Sequence, residues 1–401
     1  VLRVAIDSRV TPDYAGGVQL FLLGLAHSLG TLSSPDERYV FLVNENEGEW
    51  LEPYLGTNSK TLVVGTSLDA RLNRHPLLGR AAHLAAGVAD RLLGSRAVSI
   101  PAKPAALDET GLDLVHFATQ RGFSTSLPSI YQPWDLQHRH FPEFFTRRQY
   151  TVREVQYQAF CHAADRIVVA SRWGRDDLVA AFGVDPAKVE VIPLAAPTAA
   201  YDEPTAVELE EVRRRLDLPD TFLIYPAHAW HHKNHLALVE AVAIARDELG
   251  VELYVVCPGQ PYELFATIQR RIERHSLQRQ IRFVGWADPL TMQCLYRLCA
   301  GMVFPSLFEG WGLPVTEAFQ AGVPVACSNA TCLPEAAGDA ALLFDPEDPQ
   351  AIAAAAVRLL DSTTRQELIE RGRRRADELS WEKVAAAYRR LYTTVAAVTR
   401  D

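Results

Sequence analysis

Two glutamates, Glu309 and Glu317, lie with seven residues between them in the stretch FPSLFEGWGLPVTEAFQAGVPVACSN, residues 304–329. Gly310, Gly312 and Pro314 fall in the gap, so a single helix cannot carry both carboxylates. The spacing predicts a strand over 302–305, a tight loop over 306–313, and a helix with Pro314 in its first turn. Gly322 ends that helix, and VPVACS returns to a strand. Glu309 then sits at the carboxyl end of a parallel strand, where open α/β sheets bind ligands. The small residues let the Gly312 and Leu313 amides approach a ligand closely. The helix N-terminus favours a phosphate. Glu317, about one turn into the helix, is placed to accept hydrogen bonds from hydroxyls. Together these groups suit a ligand that carries both a diphosphate and sugars.

A second cluster, HAWHHKNH over 228–235, also follows an apolar run and precedes a helical one. Lys233 offers a cation, and His228 and its neighbours offer donors for phosphate. Paired histidines can instead hold a metal. No nearby carboxylate or cysteine completes such a set, so no metal ligand is assigned.

These groups need a frame, and the second half of the chain supplies a regular one. Short apolar runs over 221–227, 251–259, 281–286, 301–306 and 323–328 alternate with helically spaced stretches. That alternation predicts βαβ units around a mostly parallel sheet. The first half repeats the pattern more loosely, from LRVAID through VEVIPLA. A Gly16–Gly17 turn opens its first helix. A stretch rich in Pro, Ala and Glu over 196–218 carries one charged helix and reads as a linker. The expected division is 1–198, 199–379 and a last helix over 380–401.

One segment breaks the rhythm. Residues 67–103 hold six Arg or Lys, two Asp, and Leu and Ala at helical spacing. They read as an inserted surface helix pair. The other reading is a basic amphipathic element touching an anionic membrane or an anionic acceptor.

The chain of 401 residues has a net charge of −9, which argues against a nucleic-acid binder, and 48% hydrophobic residues, as in a soluble globular protein. Its six cysteines form no CxxC and are expected to be free thiols in a reducing cytosol. No apolar run approaches the length of a membrane helix. The expected location is cytoplasmic, with 67–103 as the element that could meet the inner membrane face.

The sequence resembles a retaining glycosyltransferase of the GT-B fold, glycosyltransferase family 4. The likeness rests on the 304–329 stretch followed by LPEAAGDAALLFDPED, and on ADRIVVASRWGRDDL, VEVIPLA, KNHLALVEAV and IRFVGWADPLTMQCLYRLCA. GGVQLFLLGLA and WDLQHRHFPEFF fit as well, so nearly the whole chain is covered. The resemblance implies an α/β protein of two Rossmann-like domains facing across a cleft, with the C-terminal helix crossing back to the N-terminal domain. It implies transfer of a sugar, mannose being one candidate, from a nucleotide-diphosphate sugar to a saccharide, lipid-linked or small-molecule acceptor, with no metal and no other cofactor.

By position, Glu309 would contact the donor sugar beside Gly312 and Leu313. Glu317 would hold the ribose and Lys233 the diphosphate. Gly16 and Gly17 would lie against the diphosphate or sugar, and Trp286 near the base. The chain departs from the pattern at two places. His228 stands where relatives often carry an arginine, so phosphate neutralisation there is expected to be either weaker or pH-dependent. Trp134 stands where relatives often carry a histidine, so Asp135, His138 and His140 are the candidates to replace that sugar contact. The competing readings are a nucleotide-sugar epimerase of the same fold and a non-catalytic nucleotide-sugar-binding protein.

Overall fold

The computed structural model describes all residues except 12–15, 33, 66–97, 99, 109, 198–202, 263 and 399–401. The expectation for 67–103 therefore falls mostly outside the described residues. The chain divides into two compact units. The first comprises Val1–Ala170, Gly174–Ile192 and Trp381–Asp401, and the second Ser171–Trp173 and Pro193–Ser380.

The first unit is built on seven parallel strands: β1 Leu2–Asp7, β2 Glu37–Asn44, β3 Ser59–Gly65, β4 Leu114–Phe117, β5 Ser129–Tyr131, β6 Arg166–Val169 and β7 Val189–Val191. Their order is β3-β2-β1-β4-β5-β6-β7. The winding reverses between β1 and β4, where Val4 pairs with Leu114. The central strands are buried on both faces, as Val4, Ala5, Ile6, Leu114 and Val115 are all fully buried. That is why they read as unbroken apolar runs rather than alternating ones.

Helix Trp381–Val398 packs in this unit against helix Gly17–Thr31. Gly24 makes the contact feasible, since a Cβ there would come within 2.2 Å of the Trp381 ring. A buried polar network fixes the helix further. His116 Nδ1 lies 2.9 Å from the Tyr392 hydroxyl, and its Nε2 lies 3.2 Å from Gln132 Oε1. The Tyr388 hydroxyl donates to the same Gln132 oxygen at 3.0 Å. Burial lowers the His116 pKa to about 3, so the ring is neutral at physiological pH.

The second unit has six parallel strands: β8 Leu223–Ile224, β9 Val255–Pro258, β10 Ile281–Gly285, β11 Gly301–Phe304, β12 Val325–Ser328 and β13 Ala341–Phe344. Their order is β10-β9-β8-β11-β12-β13, so here the winding reverses between β8 and β11. Strand β8 is shorter than the apolar run 221–227 suggested. Pro226 has no N–H to give, yet Tyr225 and Ala227 still donate to Val256 O and Pro258 O at 2.9 and 3.1 Å. Strand β13 escaped the sequence reading. It is a four-residue edge strand with Leu343 exposed, which leaves little periodic signal. The charged helix in the expected linker forms over Ala206–Arg215, opened by a capping box from Thr205 and Glu208.

Candidate functional site

The winding turns between β8 and β11, and the carboxyl ends of parallel strands at such a point are where open α/β sheets bind ligands. Two loops meet there, 225–234 after β8 and 305–312 after β11. They are knitted by main-chain and side-chain bonds. Leu307 N–H donates to His232 O at 2.8 Å, and the Ser306 hydroxyl donates to the same oxygen at 3.1 Å. Asn234, in the left-handed region at φ 57, sends its amide to Pro305 O at 3.1 Å and Pro346 O at 2.8 Å. The buried Tyr225 hydroxyl donates to Lys233 O.

Across this seam Lys233 Nζ and Glu309 Oε1 form an ion pair at 2.5 Å, with side chains only 13% and 12% exposed. Lys233 Nζ also lies 5.4 Å from the centre of the Phe304 ring. The two residues named from separate sequence motifs are thus in direct contact. They are 76 positions apart, and the strand order alone brings them together.

Helix Leu313–Gln320 starts beside them with Gly312 as its N-cap at φ 90. A side chain at Gly312 is excluded twice over: the φ is left-handed, and a Cβ would meet Leu333 Cδ2 at 2.6 Å. Pro314 lies in the first turn as its type requires, and Val315 N–H turns back to Gly312 O at 2.9 Å. The Leu313 amide therefore opens the helix next to Glu309. Glu317 follows one turn later. Its Oε2 accepts from the Tyr296 hydroxyl at 2.9 Å, and burial raises the pKa of its carboxyl. Tyr296 was not singled out from the sequence. Its position, 21 residues upstream on helix Pro289–Leu298, carries no local signal.

His228 belongs to the same loop as Lys233, but not as a second cation. Its Nδ1 accepts from Gln260 N–H at 2.9 Å, and burial and the Lys233 charge lower its pKa to about 4. Of the two expectations for His228, the one that had it titrate near neutrality is corrected by this burial. Trp286 is 45% exposed just beyond β10, two strands from β8. Between them, Trp230 stacks on Tyr262 with ring centres 5.3 Å apart.

In the first unit, Gly16 caps helix Gly17–Thr31 at φ 49, with nothing among the described residues within 4 Å of the position a Cβ would take. Asp135 is half-buried, and its Oδ1 accepts from Gln137 N–H at 3.0 Å. His138 is fully buried between Tyr150 and Tyr157, with Nε2 3.2 Å from Glu154. Its pKa is lowered to about 4, first by burial and then by Arg153. No part of that ring is open to a substrate, so His138 is placed to support the loop rather than to touch a sugar. Trp134 takes a left-handed φ of 72 and donates its indole N–H to Ala118 O at 3.0 Å. Among the described residues, no group of three or more His, Cys, Asp or Glu is arranged to hold a metal, and no helix is long and apolar enough to cross a membrane.

The sequence pattern of Glycosyl transferases group 1 matches residues 208–375, and that of Glycosyltransferase Family 4 matches residues 61–199. The O-antigen chain mannosyltransferase B of Escherichia coli is 28% identical over 243 residues, covering 60% of this chain and 64% of that protein. A serotype-specific mannosyltransferase WbdA of Escherichia coli is 33% identical over 185 residues, covering 45% of this chain and 23% of that protein. The chain thus spans less than two thirds of the first relative and under a quarter of the second. Among solved structures, Anabaena HepE in complex with UDP and glucose has a TM-score of 0.69 at 15% identity, covering 98% of this chain and all of that one. The fold is GT-B.

Proposed function

We propose that this chain, which belongs to the family 4 glycosyltransferases, moves a hexose from a nucleotide-diphosphate sugar to a hydroxyl of a saccharide or lipid-linked acceptor. The observation that carries the reading is the Lys233–Glu309 pair across the β8/β11 switch point. A cation for the leaving diphosphate and a carboxylate for the sugar are placed side by side, with the Leu313 helix opening on the same spot. Mannose is the favoured sugar, because two relatives are named as mannosyltransferases.

The chemistry follows from the charges. As the bond from the anomeric carbon to the diphosphate breaks, negative charge grows on the phosphate oxygens and positive charge on the sugar ring. Lys233 and the helix N-terminus stabilise the first, which makes a metal unnecessary for that task. Glu309 stabilises the second and orients the sugar. The acceptor hydroxyl attacks from the face that the diphosphate leaves, and a phosphate oxygen takes its proton, so configuration is retained. Glu317 is available to the ribose through whichever carboxyl oxygen Tyr296 does not hold.

Thermal-shift screening against UDP, GDP, ADP and their sugars, followed by transfer assays with the stabilising donor, tests the reading. A stabilising nucleotide sugar and acceptor-dependent release of the nucleoside diphosphate are expected. Conversion of the donor with no acceptor would favour an epimerase instead, and saturable binding without turnover would favour a binding protein.

A further inference from the structure

A diphosphate that claims Lys233 takes away the ionic partner of Glu309. Something else must then keep the Glu309 carboxylate aimed. Its backbone is already gripped from the neighbouring loop, the one that follows β12. Glu309 N–H donates to Thr331 Oγ1 at 3.2 Å, and the Thr331 hydroxyl donates to Glu309 O at 3.2 Å. The Cys332 thiol donates to the same carbonyl at 3.1 Å. One hydroxyl thus satisfies both polar groups of the Glu309 backbone.

The conformation of Thr331 is unusual for its type. It lies at φ 53, a left-handed region that a β-branched residue enters only at a cost and that Gly or Asn occupies readily. A chain that accepts this strain beside a functional loop gains something from the side chain. The other end of the same loop is tied independently: the Ser306 hydroxyl contacts His232 O at 3.1 Å and Phe308 O at 3.2 Å. Glu309 is the point where the loop leaves that anchor.

We propose that Thr331 is a positioning residue for Glu309. Its strained backbone aims one hydroxyl at both polar groups of the Glu309 main chain, so the carboxylate stays on the donor sugar when Lys233 turns to the diphosphate. This rests on the assignment of Glu309 and Lys233 to the donor site.

The test compares Thr331→Ser and Thr331→Gly with the wild-type chain, using GDP-mannose and UDP-glucose as donors. The readouts are kcat and KM for the donor that turns over, the Kd of the matching nucleoside diphosphate, and Tm. Thr331→Gly relieves the strain and deletes the hydroxyl. Its Tm should equal or exceed the wild-type value and the nucleoside diphosphate Kd should stay within about twofold, while kcat falls about tenfold or more. Thr331→Ser keeps the hydroxyl and should return kcat to within about threefold. A Thr331→Gly chain that keeps wild-type kcat overturns the role of Thr331 alone. A joint fall of Tm and kcat that Ser does not rescue also overturns it, in favour of a purely structural role. A folded wild-type chain that turns over neither donor, nor any other nucleotide sugar from the thermal-shift panel, overturns the donor-site assignment and this proposal with it.

Discussion

The two sheets are wound alike, each reversing once near its centre, yet the charges at the two reversals are partnered differently. At the end of β1, Arg9 pairs with Asp7 two positions away, through two bonds of 2.8 and 2.7 Å, and the arginine also lies over Phe123. Asp7 is fully buried while Arg9 keeps 22% exposure, so this pair is local to one strand end. Past the end of β8, Lys233 pairs with a glutamate from a different loop, 76 positions away, and each partner keeps a little exposure. The first arrangement builds the domain. The second can exchange partners, because a diphosphate offers Lys233 the same charge that Glu309 does. Equal topology gives an equal switch point, and the side chains placed there decide what it does.

Breaking each pair should separate these roles. Lys233→Ala or Glu309→Ala is expected to lower kcat with the correct donor by about 10²- to 10³-fold with the chain still folded, measured by release of the nucleoside diphosphate. Near-wild-type turnover in Glu309→Gln would remove the carboxylate from the mechanism. Arg9→Ala should act in the opposite way. It leaves the Asp7 carboxylate buried without its partner, costing about 3 kcal/mol in denaturant unfolding, while the Kd for a nucleoside diphosphate stays at the wild-type value. Tyr392→Phe, in the buried network of the first unit, should cost about 1 kcal/mol and leave binding untouched.

Acid should affect both units together. Burial lowers His116 in the first unit and His235 in the second from 6.5 to about 3. The unfolded chain therefore binds protons that the folded chain refuses. Stability should be full above about pH 6.5 and fall as pH drops from there toward 3, which a series of melts across that range would show.

Much of the second unit was legible because its signals are local. The strand before Glu309, the Gly312 turn and Pro314 in the first helical turn follow from residue types within a dozen positions. The helix start over Leu313–Gln320 matches that expectation. The contact of Lys233 with Glu309 was not legible, because only the order of β8 and β11 in the sheet creates it. The same holds for Thr331 and Tyr296, whose partners lie 22 and 21 residues away. His138 shows the opposite failure. A histidine in a polar loop reads as exposed, but the short helix Gln137–His140 turns it inward against Tyr157.

Exchange of partners at Lys233 is the central claim, and calorimetric titration with the nucleoside diphosphate that best stabilises the wild-type chain tests it most directly. Lys233→Ala should weaken binding about tenfold or more, and Glu309→Ala should tighten it, because the carboxylate no longer competes for the ammonium. Unchanged affinity in Lys233→Ala, or weaker binding in Glu309→Ala, would contradict it.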